Sequence, residues 1–214
     1  MKTLLVLLLG VWSVAQAKPI AYAQGTTFMA EYGSDLMQES QLFYAPRYDF
    51  SYGGGLLRME ARDRSFDRQI AYLRANWLAK RWNLPSAQGN VFAFGGLGQA
   101  RGSDFSGTRT AYNAGLQADY ETRRIYMAAK FDWQGAPSAF AEQVATVQAG
   151  FAPYKHDWDV AAIWLLLQAR HYREGMLDDQ VQTAALIRWF KGNTWIEGGL
   201  TDDGRLQAML MLNF

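Results

Sequence analysis

Apolar and polar side chains alternate with period two through most of this chain. Thr110, Tyr112, Ala114, Leu116, Ala118 and Tyr120 alternate with Ala111, Asn113, Gly115, Gln117 and Asp119. Ile125, Met127, Ala129, Phe131 and Trp133 alternate with Arg124, Tyr126, Ala128, Lys130 and Asp132. Val181, Thr183, Ala185, Ile187 and Trp189 alternate with Gln180, Gln182, Ala184, Leu186 and Arg188. Successive side chains of a strand point to opposite faces. Each segment therefore predicts a strand with one apolar face and one face of charges and amides. Clusters of Gly, Pro, Asp, Asn and Ser separate the segments. Helical periodicity is weak beyond residue 17.

The pattern predicts an all-β chain of twelve antiparallel strands, near 25–33, 40–52, 55–63, 67–82, 90–100, 108–120, 124–133, 142–152, 158–172, 179–190, 194–201 and 205–214. Ten strands is the alternative count, because the first third is irregular. Pro46 removes a ladder donor and predicts a bulge or an irregular edge. Gly53-Gly54 is assigned to a turn, although glycines there also suit a bent strand. Residues 91–98 and 158–172 carry apolar side chains on both faces, so their parity is open.

Residues 1–17 open on a short basic region at Met1-Lys2, continue through an apolar stretch at 4–14 and end in Ala15-Gln16-Ala17. That is the pattern of a cleaved secretory signal peptide. It divides the chain into a signal at 1–17 and one domain at 18–214. Removing Lys2 from the 21 basic residues leaves 20, equal to the 20 acidic ones. A neutral mature chain has no global charge to attract nucleic acid. There is no cysteine and there are only two histidines, His156 and His171, so thiolate and multi-histidine metal sites are not expected. No cofactor is expected either. No mature segment approaches the roughly eighteen apolar residues of a transmembrane helix.

The last strand adds a destination. Leu206, Ala208, Leu210, Leu212 and the terminal Phe214 share one face, while Arg205, Gln207, Met209, Met211 and Asn213 share the other. With the signal peptide and the strand rhythm, this ending resembles the closing strand of a Gram-negative outer-membrane β-barrel. The resemblance covers the whole mature chain and matches no particular family within that group. It implies an antiparallel transmembrane barrel in the cell outer membrane, with short periplasmic turns and longer external loops. It implies outer-membrane lipid and lipopolysaccharide as surroundings. It also implies that Leu210, Leu212 and Phe214 form the assembly signal read by the barrel-assembly machinery. Tyr120, Trp189 and Phe214 would form the lower aromatic girdle, and Tyr112 and Trp133 the upper. The oligomeric state is not encoded.

Three functions fit such a barrel. The first is a small porin or channel for polar solutes with a narrow charged lumen. Its lining is assigned to Arg58, Arg62, Arg74, Lys80, Arg109, Asn113, Gln117, Asp119, Arg124, Lys130, Asp132, Arg188 and Arg205, with Glu60 and Glu197 on the same face. Nine of the assigned charges are basic and four acidic, which predicts a weak anion preference. The second is a structural or interaction barrel whose lumen is plugged by those same groups. The third is a lipid-modifying enzyme, for which His171 at an external strand end is the candidate base. No serine stands one or two places from His171, so the expectation is a barrel without enzymatic activity. Ser103 and Ser106 reach His171 only through the fold. Methionines such as Met209 and Met211 are expected as interior packing and not as a metal site.

The signal assignment predicts a native protein that begins near Lys18 and fractionates with outer membranes. Intact mass checks it, and retention of residues 1–17 in the native host contradicts it.

Overall fold

Twelve strands form one closed antiparallel sheet. The computed structural model describes residues 23–155, 160–177 and 179–214. The signal segment at 1–17 and His156 lie outside the described residues. The strands are β1 (Gly25–Gly33), β2 (Met37–Arg47), β3 (Phe50–Glu60), β4 (Asp67–Leu84), β5 (Ala87–Gly102) and β6 (Arg109–Thr122). They continue with β7 (Ile125–Ala136), β8 (Phe140–Phe151), β9 (Ala162–Arg173), β10 (Gln180–Lys191), β11 (Thr194–Thr201) and β12 (Leu206–Asn213). Each strand pairs with its sequence neighbours, and β1 pairs with β12 from Thr27↔Asn213 to Gly33↔Gln207. The seam continues past β12. The Phe214 N–H donates to the Thr26 carbonyl at 2.9 Å, and the Thr26 N–H to the Phe214 carbonyl at 2.6 Å.

The connections differ at the two ends. Phe214 and the start of β1 lie at the terminal end. Four connections there are two residues long, at 48–49, 85–86, 123–124 and 192–193, and one is longer, at 152–161. The loop end carries the connections at 34–36, 61–66, 103–108, 137–139, 174–179 and 202–205.

The early strands β2 and β3 are displaced from the sequence expectation of 40–52 and 55–63. The turn after β2 is at 48–49, so Gly53, Gly54 and Gly55 lie inside β3. They are glycines because neighbours crowd them. A Cβ on Gly55 would lie 2.5 Å from Tyr72 Oη, and one on Gly54 would lie 2.7 Å from the Tyr72 carbonyl oxygen. Pro46 falls at a register shift between Tyr44 and Arg47, which accommodates its missing donor.

The period-two pattern turns apolar side chains outward. Leu56, Leu73, Leu97, Leu116, Val147, Leu167, Ile187 and Leu200 are all exposed on the outer wall, Leu73 at 74 %. Ala129 shares this face of β7 with Met127 and Phe131. Aromatic rings mark the margins. Tyr112 and Trp133 meet edge to face at 5.3 Å toward the loop end, and Tyr44 and Tyr52 do so at 6.0 Å toward the terminal end.

The inner wall is not uniformly polar. Leu57, Met59, Phe66, Ile70, Tyr72 and Tyr172 form an apolar cluster inside the loop end. Tyr126, Trp164, Leu166, Leu186, Phe190, Trp195 and Met211 form another toward the terminal end. Charged and amide side chains fill the middle.

Replacing Gly55 by Val inserts a branched side chain against the Tyr72 ring. It should cost about 1–3 kcal/mol through overpacking. Reversible urea unfolding of the refolded barrel measures this, and an unchanged midpoint contradicts the packing account.

Candidate functional site

The middle of the barrel holds a cavity of about 160 Å³. Its lining on β7 is the unbroken inward series Tyr126, Ala128, Lys130, Asp132 and Gln134. At about 3.3 Å of rise per residue, that series covers about 26 Å of strand. The cavity is therefore long and thin and follows the barrel wall from one end toward the other.

Its charges come from opposite walls and are mostly paired. Arg188 on β10 donates to Glu197 on β11 at 2.8 Å and to Gln148 on β8 at 2.8 Å. Gln148 donates to Glu197 at 3.0 Å, closing a three-residue network. The Arg188 guanidinium also lies 4.1 Å from the Trp195 ring and 4.3 Å from that of Tyr126. Arg170 on β9 reaches across the lumen to Glu31 on β1. Lys130 pairs with Asp132 at 3.0 Å. Tyr72 donates to Glu39, and Gln168 to Gln207 at 3.0 Å. Arg74 donates to Gln41 and, at 3.5 Å, to Asn113, and the rings of Phe43 and Phe94 lie 5.0 Å from its guanidinium. Charges held in such a low-dielectric interior need partners, because an unpaired one costs several kcal/mol, roughly.

Of the thirteen side chains assigned to the lumen from sequence, Arg74, Asn113, Gln117, Lys130, Asp132 and Arg188 line this cavity, as does Glu197. Asp119 is buried on the inner wall nearer the terminal end, where it accepts from Asn90 at 2.6 Å. Arg109 has inward parity but is exposed at the loop-end mouth, where β6 begins.

The others are corrections. Arg58 and Glu60 share the outer face with Leu56, because Leu57 and Met59 take the inner positions of β3 in the apolar cluster. Arg58 is exposed there and is held by Asp67 at 2.8 Å. Lys80 turns outward because the β4–β5 register shifts between Leu78 and Lys80. That extra residue inverts the parity of everything after it. Arg81 takes the inward place and donates to Asn90 at 2.7 Å, while Lys80 Nζ lies 5.9 Å from the Trp82 ring. Arg124 belongs to a terminal-end turn and donates to the carbonyls of Ala152 and Pro153, both at 3.2 Å. Arg62 and Arg205 lie in loop-end connections and meet at Asp203, at 2.7 and 3.1 Å. A hydrogen bond from Thr201 and the charges of these two arginines hold the Asp203 carboxyl below the usual carboxylate range.

Sequence reasoning missed Glu31, Glu39 and Arg170. Gln168 and Arg170 stand two apart on β9, a period-two signal hidden among Leu165, Leu166 and Leu167. With these included, the cavity lining carries Arg74, Lys130, Arg170 and Arg188 against Glu31, Glu39, Asp132 and Glu197. Four of each sign removes the basic excess on which the expected anion preference rested.

His171 lies on the outer face of β9 opposite Ala145 and Val181, and its Nε2 is 2.9 Å from Asp179. Ser103, on another connection, accepts from the Asp67 N–H at 3.0 Å. Among the described residues the side-chain partner of His171 is Asp179 and not a serine hydroxyl. Leu210, Leu212 and Phe214 lie on the outer face of the seam strand, Phe214 the most exposed of the three.

Replacing Arg188 by Met leaves Glu197 buried without its cation and should destabilise the barrel by about 3–5 kcal/mol. Replacing Glu197 by Met as well should restore much of that loss. A double-mutant cycle in urea tests the pairing, and strictly additive losses contradict it.

No protein-family model matches the chain, and no curated protein sequence matches it. Among solved structures, the chain is similar to the KdgM porin at 10 % identity, covering 89 % of this chain and 98 % of that one, with a TM-score of 0.49. A KdgM porin in complex with disordered oligogalacturonate matches at 12 % identity with the same coverage and a TM-score of 0.47. CdiB from Acinetobacter baumannii matches at 8 % identity, covering 91 % of this chain and 61 % of that one, with a TM-score of 0.31.

Proposed function

We propose that this chain is an outer-membrane β-barrel that passes small polar solutes through a narrow, charged lumen. The observation that carries the reading is the long central cavity, lined by charges that are paired along, between and across its strands. Filling a barrel for stability alone calls for apolar side chains, since buried ion pairs contribute little net stability. A row of charges and amides along a thin cavity suits hydrated solutes instead.

The outer wall supports a bilayer as the surrounding solvent. A continuous exposed belt that includes Leu73, Leu97, Leu116, Val147, Leu167 and Ile187 is far larger than soluble proteins carry. A closed sheet satisfies its backbone groups internally, which hydrocarbon requires. The short connections and Phe214 then belong to the periplasmic side, and the loop end faces outward with lipopolysaccharide around it. Leu210, Leu212 and Phe214 present the assembly signal on the outer face of the closing strand. A filled structural barrel is the second reading, and the apolar clusters inside both ends favour it.

Planar-bilayer recording of the purified protein separates the two. The channel reading expects small unitary conductance with little preference between cations and anions, because the lining charges balance. Replacing Arg170 by Gln leaves Glu31 in excess and should move the reversal potential toward cation preference in a salt gradient. Silent bilayers, with folded protein demonstrably inserted, select the structural barrel. Replacing Ala129 by Arg should cost about 2–4 kcal/mol of folding stability in lipid vesicles, and a loss near zero contradicts the bilayer setting.

A further inference from the structure

We propose that residues 174–177 form a latched lid over the loop-end mouth of the lumen, and that its departure exposes the cavity on that side. The proposal rests on the lumen being a passage. It begins from burial in the wrong place. Connections normally run over the surface. Met176 and Leu177 belong to the β9–β10 connection, yet they are only 2 % and 4 % exposed, packed into the apolar cluster inside the mouth.

The lid reaches the far wall. In the closed ring, β3 and β9 are six places apart, so the β3–β4 and β9–β10 connections spring from opposite sides. The Arg62 N–H donates to the Met176 carbonyl at 3.1 Å and so joins them across the opening. Glu142, buried on the inner wall of β8, is packed against the lid at Gly175. Gly175 makes the approach feasible. It has φ +103°, and a Cβ there would lie 2.8 Å from Glu142 Cγ. A residue with a side chain cannot take that conformation against that carboxylate without strain.

Among the described residues the attachments are few: the backbone hydrogen bond from Arg62 to Met176, the Gly175–Glu142 contact and two apolar side chains. A segment held by so little opens locally at far lower cost than the sheet unfolds. Beneath it lies Met59, fully buried on β3, whose sulfur accepts from Gln134 at 2.9 Å.

The chain contains no cysteine, so one introduced thiol reports without interference. Met59→Cys places it under the lid, and Ser65→Cys on an exposed connection gives the open reference. Labelling by a membrane-impermeant maleimide is followed in lipid vesicles on barrels shown to be folded by heat-modifiable migration. The thiol at position 59 should label at least tenfold more slowly than the one at 65. Gly175→Val, which pushes against Glu142, should raise the rate at 59 tenfold or more. The double change Met176→Gly with Leu177→Gly, which removes the apolar anchors, should do the same. Labelling at 59 as fast as at 65 in the parent, or no rise in either variant, overturns the lid. Conductance recorded on the same variants separates the two claims. Faster labelling without conductance retains a movable cover and removes the passage. Conductance with unchanged labelling retains the passage and removes the lid.

Discussion

Everything in this molecule depends on the pairing of β1 with β12. An open twelve-strand sheet would leave two rows of unpaired N–H and carbonyl groups, tolerable in water and costly in hydrocarbon. The seam from Thr27↔Asn213 to Gly33↔Gln207, extended by the Thr26–Phe214 exchange, removes both edges. Thr27 and Asn213 also bond through their side chains at 2.8 Å inside the wall. Closure creates two surfaces from one alternating pattern. It separates exposed Leu73 from its buried neighbours Tyr72 and Arg74, although they are adjacent in sequence.

The inner surface is then governed by the cost of burying charge. Each cavity cation except Arg74 has a carboxylate within ion-pair distance, drawn from a neighbouring strand, the same strand or the far wall. Arg74 is covered instead by amides and aromatic faces. Glycines make that cover sterically feasible. Gly53 and Gly96 flank Arg74 on the adjacent strands, and Gly115 lies under Phe94. The same crowding explains why β3 carries three consecutive glycines without turning.

The strand rhythm and the closing strand were legible because period-two alternation is a direct consequence of strand geometry. It placed β6, β7, β10 and β11 with little error, and with them Lys130, Asp132 and Arg188. It failed where one residue changes the phase. Lys80 follows a bulge that leaves no local mark in the sequence. Arg58 follows an apolar inner stretch beneath the mouth, so the rule that charges face inward gave the wrong face. Glu31 was hidden because it is the one charge on β1, and Arg170 because β9 begins with an apolar run on both faces. Their pairing exists only after closure, which brings β9 within four places of β1 around the ring.

The central claim is that this alternation separates lipid from a polar interior, and β7 states it most plainly. Nitroxide labels placed singly from Met127 to Asp132, in vesicles, can be read for collision with oxygen and with a water-soluble nickel chelate. Oxygen access should peak at Met127, Ala129 and Phe131 and fall at Ala128, Lys130 and Asp132, with the lowest nickel access at the first set. Equal oxygen access at all six positions, or nickel access highest at Ala129, would contradict a lipid-facing outer wall around a polar lumen.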